Sequence, residues 1–388
     1  MKKIKISGEN VVYLFGKEYS KRELMKRLGS LSQLTFALPF EFIDGKERGV
    51  RGVEIKTGSG LSFLVLIDRG LDIGRMDYKG VPIAYVSPTL YVHPSYFEPE
   101  KLGWLRGAYF GLLTTCGLTY AGAPTVDLGE ELGLHGRYSY IPARNVTIDY
   151  EWSGDECDIV VKGVVKEVSF FGSNIALYRE IRAKLGDKKI LIKDKIVNEG
   201  YETQPFMILY HFNFGFPIID KGSRLILSSK FYVPRDEEAM KDAEKFDELH
   251  EPVRGYKEKV YFHEMLTDED GFAYAGIINE GLLNGLGVYV KFRKDQLHRF
   301  IQWKMMGEQF YVTGLEPANC LVLGRDKERK WGTLQFLKPE EIREFVLETG
   351  VLEGKEEIIE FKEKINKITK GKRPRMLRTV EEFISLTK

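Results

Sequence analysis

An all-β fold, a sandwich of two large antiparallel sheets with minor helices, is predicted by three observations. From Gly136 onward, alternating runs follow one another closely: NVTIDYEW, DIVVKGVVKEV, ALYREIRAKL and KILIKDKIV. Gly-Asp or Gly-Ser-Asn turns separate them, as expected of a large antiparallel meander. Helical spacing, by contrast, is confined to three short or peripheral segments.

Taken in order, residues 1–45 read as a strand or two and one helix, SKRELMKRL, in which Ser20 precedes Glu23 at capping-box spacing. They form an expected N-terminal extension packed on a main domain of residues 46–351. From Val50 the pattern turns to β: two strands meet at Gly58-Ser59-Gly60, and another turn falls at Lys79-Gly80. Ser87 to Leu105 has no period and reads as a long loop, followed by a glycine-spaced apolar run, GWLRGAYFGLLTTCGLTYAG. Such aromatic loops in a β-rich chain are usually functional or covering segments. Further strands are RLILSSKFYVP, VYFHEML, Ala273 to Ile277, Leu286 to Phe292, Phe300 to Trp303 and Ile342 to Thr349. Asp236 to His250 reads as a polar helical insertion. Residues 352–388 form an expected helical tail lying on the sheet, its acids and bases mixed.

Composition narrows the function. A chain of 388 residues with 43% apolar content can bury a large core. Lys plus Arg is 58 against 57 for Asp plus Glu, a net charge of +1, which leaves no electrostatic footprint for nucleic acid or an anionic membrane. Three separated cysteines without CxxC spacing point to a reduced, cytoplasmic setting. The opening MKKIKISGENVVYLFG is not a signal peptide, and no apolar run of about 18 residues appears. GSGLSF lacks the lysine and helix of a nucleotide loop, and no ligand spacing marks a metal site, so no cofactor and no metal are expected.

The oddity lies in the stretch KILIKDKIVNEGYETQPFMILYHFNFGFP, residues 189–217. Its first strand sets Ile190, Ile192, Asp194 and Ile196 on one side. Its second puts Met207, Leu209, His211 and Asn213 on one face and Ile208, Tyr210, Phe212 and Phe214 on the other. Burying the imidazole and amide without partners costs roughly 1–3 kcal/mol each, so the protein or a ligand must meet them. Two further constellations stand out. In GLHGRYS, His135 and Arg137 lie two apart and share a face if that stretch is extended. In GLEPANC, Glu316 ends an apolar strand and Pro317 prevents its continuing. Two histidines, an arginine, an amide and a carboxylate suit a hydroxyl-rich ligand and acid–base work near neutral pH. Singly, each also fits a structural role: a packed histidine, an ion pair of Arg137 with Glu130 or Glu131, a Glu316 that caps a turn.

The run ILIKDKIVNEGYETQPFMILYHFNFGFP resembles the aldose 1-epimerase (galactose mutarotase-like) family, in which a strand, a turn and a second strand lead to a catalytic histidine closely followed by Asn. GLHGR resembles that family's sugar-binding histidine segment, and Glu316 matches its catalytic carboxylate. With IDRGLDIG and WKMMG…GLEPAN, the resemblance is to a divergent branch and covers roughly residues 50–350. The family's His-Pro or His-Thr is His-Phe here, and its sugar-binding aspartate has no counterpart by pattern.

The resemblance implies a β-supersandwich and a mutarotase acting on a small-molecule sugar. Glu316 is then the base on the anomeric hydroxyl, and ionised; His211 is the acid to the ring oxygen, and protonated. His135, Arg137 and Asn213 would bind the sugar or, for Asn213, orient His211. Arg69, Arg75 and Lys304 are rim candidates that would favour an acidic sugar, although Arg69 and Arg75 equally fit pairing with Asp68 and Asp72. Trp303 fits either a sugar platform or the core. Two alternatives remain open: epimerisation of a sugar acid or deoxy sugar, and a non-catalytic carbohydrate-binding sandwich.

Overall fold

In the computed structural model, which describes residues 11–388, strands dominate and nearly all pair antiparallel. The first ten residues, including most of the basic opening segment, lie outside the described residues. Among the described residues the two large sheets have thirteen and eight strands, and three two-stranded ribbons stand beside them. Five neighbours in the larger sheet concern the site: β1 (Leu113–Leu118), β2 (Gln204–Gly215), β3 (Lys259–Met265), β4 (Arg299–Met306) and β5 (Tyr311–Ala318). Their order across the sheet is β3-β4-β5-β2-β1. The smaller sheet carries the long meander from Arg144–Ser153 to Lys189–Asn198, continued by Ile342–Glu353 and Leu286–Arg293.

The period-two pattern sorts β2 between two cores. Ile208, Tyr210, Phe212 and Phe214 join Ile190, Ile192 and Ile196 in the main core between the sheets. Met207 and Leu209 belong to a second apolar cluster on the opposite face, with Val260, Ile301, Trp104 and Tyr140. That face is partly covered by the helix Val380–Thr387, through Phe383 and Ile384. The cleft opens on this second face.

Asp194 sits among the inward isoleucines because Arg179 meets it there. The guanidinium bonds Asp194 at 2.6 Å and Asp72 at 2.5 Å, all three side chains fully buried. Tyr210 donates to Asp194 at 2.7 Å, and Thr115 on β1 donates to Asp72 through its N–H and hydroxyl at 2.8 and 2.6 Å. A buried charge so surrounded is compensated on every side.

The outer elements follow local chemistry. Ser20 and Glu23 form the capping box of the helix Lys21–Met25. Asp236 caps the short helix Glu237–Met240 within the polar insertion. Beyond residue 352 the chain makes the helix Gly354–Thr369, which seats Ile358, Phe361 and Ile365 on Tyr274, Ile278 and Tyr289. A two-residue strand and the helix Val380–Thr387 follow. One sequence expectation is corrected: β5 does not stop before Pro317 but runs through it to Ala318, because Pro317 lies near the strand end and still pairs with Phe300 of β4.

Candidate functional site

The register of β2 against β5 builds the site. Leu209 pairs with Ala318 and Phe212 with Leu315, and the ladder is interrupted between them, where Pro317 has no N–H to give. Carrying the register across that gap sets His211 opposite Glu316. Their side chains emerge on the cleft face, with Nε2 of His211 3.3 Å from Oε1 of Glu316. One row along, Asn213 pairs with Gly314 and Gly314 with Trp303. The absent side chain of Gly314 makes room for the pair: a Cβ there would lie 2.4 Å from Oε1 of Glu316 and 3.1 Å from Cε1 of His211.

His135 comes from the GLHGR loop. The chain turns there with left-handed backbone at His135 (φ 58°) and Gly136 (φ 75°). A side chain at Gly136 would collide with the Tyr120 carbonyl at 2.2 Å, so this turn requires glycine. The same turn corrects the idea that His135 and Arg137 share a face. His135 enters the cleft, its ring 5.9 Å from that of His211 and 4.9 Å from Trp104; Arg137 is exposed and begins the single turn Tyr138–Tyr140.

Aromatic rings wall the cleft. Phe110 and Trp303 stack at 5.2 Å, and His211 meets both edge-on at 5.7 and 5.5 Å. At the rim, Trp303 donates its indole N–H to Glu258 at 2.8 Å, Glu258 accepts from Arg235 at 2.9 Å, and Arg235 also reaches Asp236 at 2.7 Å. The cavity has a volume of about 420 Å³. A groove of about 610 Å³ adjoins it at Arg235, lined by surface cations and acids such as Lys327, Lys330 and Glu381. No buried, unpartnered polar atom faces that groove among the described residues.

Three polar atoms of the residues that line the cleft are unmet by the protein. Nδ1 of His135, Nδ1 of His211 and Oε1 of Glu316 are all buried without a hydrogen-bond partner. Burial, with Glu258 adding repulsion, pushes Glu316 well above the usual carboxylate range. Burial, aided by neighbouring His135, holds His211 down to about 3, against a smaller opposing effect of Asn213. Burial alone holds His135 down to about 4. Burial therefore disfavours the charged form of both groups.

The remaining sequence candidates stand elsewhere. Asn213 lies on the same strand face, but its Nδ2 donates to the His211 carbonyl at 2.7 Å and it does not line the cavity. Arg69 is fully buried and donates to the carbonyls of Ser139, Val92 and Gly107, its guanidinium between the rings of Tyr109 and Tyr140. Arg75 pairs with Glu54 at 2.6 Å on the surface. Lys304 points its Nζ at the carbonyls of Lys245 and Glu248. Asp68 pairs with Arg51 and Asp72 with Arg179, so neither is taken by Arg69 or Arg75. The cleft residues missed from sequence are Trp104, Phe110, Arg235 and Glu258. The glycine-spaced aromatic run around Phe110 was a signal; for Arg235 and Glu258, charges at strand ends, there was none.

A family model described as a domain of unknown function (DUF4432) matches residues 47–351. Among curated proteins none matches the sequence significantly. Among solved structures, the chain is similar to a protein from Klebsiella pneumoniae subsp. pneumoniae described as a candidate aldose 1-epimerase. That match has a TM-score of 0.84 and 24% identity, covering 89% of this chain and 95% of that one. A galactose mutarotase-like protein from Clostridium acetobutylicum matches with a TM-score of 0.58 and 14% identity, covering 83% of this chain and all of the other (100%). Galactose 1-epimerase from Lactobacillus acidophilus matches with a TM-score of 0.53 and 13% identity over the same shares, 83% and 100%. The fold is galactose mutarotase-like. No described helix is long and apolar enough to cross a membrane.

Proposed function

The chain belongs to the DUF4432 family, and on that premise we propose that it is a sugar 1-epimerase that opens and recloses a pyranose ring by proton transfer. The observation that carries this reading is the Glu316–His211 pair: two titratable groups 3.3 Å apart in a sugar-sized cleft, with buried polar atoms unanswered by the protein. Groups set so close can address the two oxygens on one anomeric carbon.

The pair holds one proton, and burial decides where it rests. Against the closed sugar, neutral His211 removes the proton of the anomeric hydroxyl while the Glu316 carboxyl gives its proton to the ring oxygen. The C1–O bond of the ring breaks and the aldehyde forms. His211 is now imidazolium and Glu316 carboxylate, each stabilising the other. The aldehyde rotates, the ring hydroxyl attacks its other face and returns a proton to Glu316, and His211 protonates the new anomeric oxygen. This starting arrangement differs from the one the resemblance implies, an ionised Glu316 beside a protonated His211, because burial disfavours charge on both groups. His135, which lines the cleft with its Nδ1 buried and unpartnered, would bind a sugar hydroxyl.

Polarimetry on freshly dissolved anomers across a sugar panel tests the proposal. Glu316→Gln and His211→Ala should each lower the rate at least roughly 10²-fold. Unchanged rates in both would leave a sugar-binding protein without catalysis.

A further inference from the structure

The cleft has few polar groups for a sugar that carries many. Its lining offers five polar side chains, of which His211 and Glu316 are committed to the anomeric centre on the reading above. Arg235 is the one cation there, and two carboxylates already hold it, Asp236 at 2.7 Å and Glu258 at 2.9 Å. Glu258 is further engaged by Trp303. His135 is left with an unpartnered Nδ1. The remaining lining is aliphatic and aromatic, with the stacked Phe110–Trp303 pair forming a flat wall.

Resting on the epimerase reading, we propose that the substrate is an uncharged, hydroxyl-poor aldose, a deoxy sugar, and that Glu258 excludes anionic sugars. A fully hydroxylated hexose presents hydroxyls to aliphatic and aromatic side chains that offer them no partner. A uronate or sugar phosphate meets a rim that carries two carboxylates to one guanidinium. An apolar C–CH₃ edge instead packs against the aromatic wall. The sugar-acid alternative raised by the sequence loses its basis, since Arg69, Arg75 and Lys304 all point away from the cavity.

The test measures anomer interconversion for fucose, rhamnose and quinovose beside galactose, mannose and glucose, and for galacturonate and glucose 6-phosphate. Sugar binding is followed in parallel by quenching of tryptophan fluorescence. At least one deoxy sugar should exceed its hydroxylated parent about 10- to 100-fold in kcat/KM, the range an apolar pocket achieves against an added hydroxyl. The anionic sugars should show no acceleration. Glu258→Gln, which frees Arg235 from one partner, should tighten galacturonate binding at least tenfold. Equal or better turnover of an anionic sugar, or parity between every deoxy sugar and its parent, overturns the proposal while leaving the epimerase reading intact. Preferential binding of deoxy sugars without turnover keeps the substrate class and overturns the epimerase reading. Binding of none overturns both.

Discussion

Glu316 faces His211 across adjacent strands at 3.3 Å, yet Oε1 of Glu316 accepts no hydrogen bond from any protein group. A carboxyl placed this way is a cost to folding that a ligand can recover.

That cost depends on pH. Burial raises Glu316 above its ordinary value of 4.5, so its contribution to stability is fully present below that value and is lost as pH rises through the folded-state pKa. Glu316→Gln keeps the shape and removes the titration. The variant should match the parent near pH 4 and exceed it at pH 8, by on the order of 1–3 kcal/mol. Urea unfolding at both pH values checks this; a difference that shrinks as pH rises would contradict it.

The histidines act in the opposite direction. Burial holds His211 and His263 down to about 3, and His135 and His298 down to about 4, from an ordinary 6.5. The unfolded chain binds protons at these groups that the folded protein refuses, so stability present above 6.5 is lost as pH falls toward 4. His211→Asn should flatten the dependence of unfolding free energy on pH near 5 by up to about 1.4 kcal/mol per pH unit, one proton's worth. An unchanged slope would mean that His211 titrates normally.

Gly314 is a requirement of the pair rather than of the backbone. Its φ lies outside the left-handed region, and the added Cβ of alanine would press on Glu316 at 2.4 Å and on the Trp303 Cβ at 3.2 Å. Gly314→Ala should fold with a loss of about 1–3 kcal/mol. Its kcat should fall about 10²-fold, because displacement by about an ångström suffices for that. Circular dichroism and polarimetry separate the two effects; full activity would show that the pair tolerates the shift.

The strands of the meander were legible because one face of each is buried, and alternation records burial directly. His211, Glu316 and His135 were legible through resemblance, since the first two stand 105 positions apart in the chain and no spacing predicts their meeting. The cations were not legible. Arg69 and Lys304 are held by backbone carbonyls, which every residue possesses and no sequence pattern advertises. Arg137 was misplaced by assuming an extended chain where His135 and Gly136 are left-handed. Arg235 and Glu258 escaped because a rim pair and an ordinary surface pair have the same composition.

These placements predict distinct phenotypes for Arg69, Arg75 and Lys304, the three cations first considered for the rim of the site. Arg75→Ala breaks a surface pair with Glu54 and should change stability by less than about 1 kcal/mol, with KM unaltered. Arg69→Met strands three buried carbonyls and should cost at least about 2 kcal/mol. Lys304→Met should lower stability without raising KM. A KM raised tenfold or more in any of the three, with stability preserved, would return that residue to the sugar site.

The buried Arg179 network ties the site to the core, since Thr115, which bonds Asp72, neighbours Thr114, the residue paired with His211. Arg179→Met leaves Asp72 and Asp194 buried without their shared cation, and breaking one side of such a cluster costs about 3–5 kcal/mol. Replacing the whole cluster is a different matter, because no unpaired charge remains. Arg179→Met combined with Asp72→Asn and Asp194→Asn should therefore recover much of the loss, although the single change removes fewer interactions. Urea unfolding of the single and triple variants decides it. If the triple variant is the less stable, the network contributes net stability through its hydrogen bonds, and the charges are more than self-compensating. If it recovers, polarimetry on that variant shows whether β1 still sets His211 against Glu316 once the ions beneath it are gone.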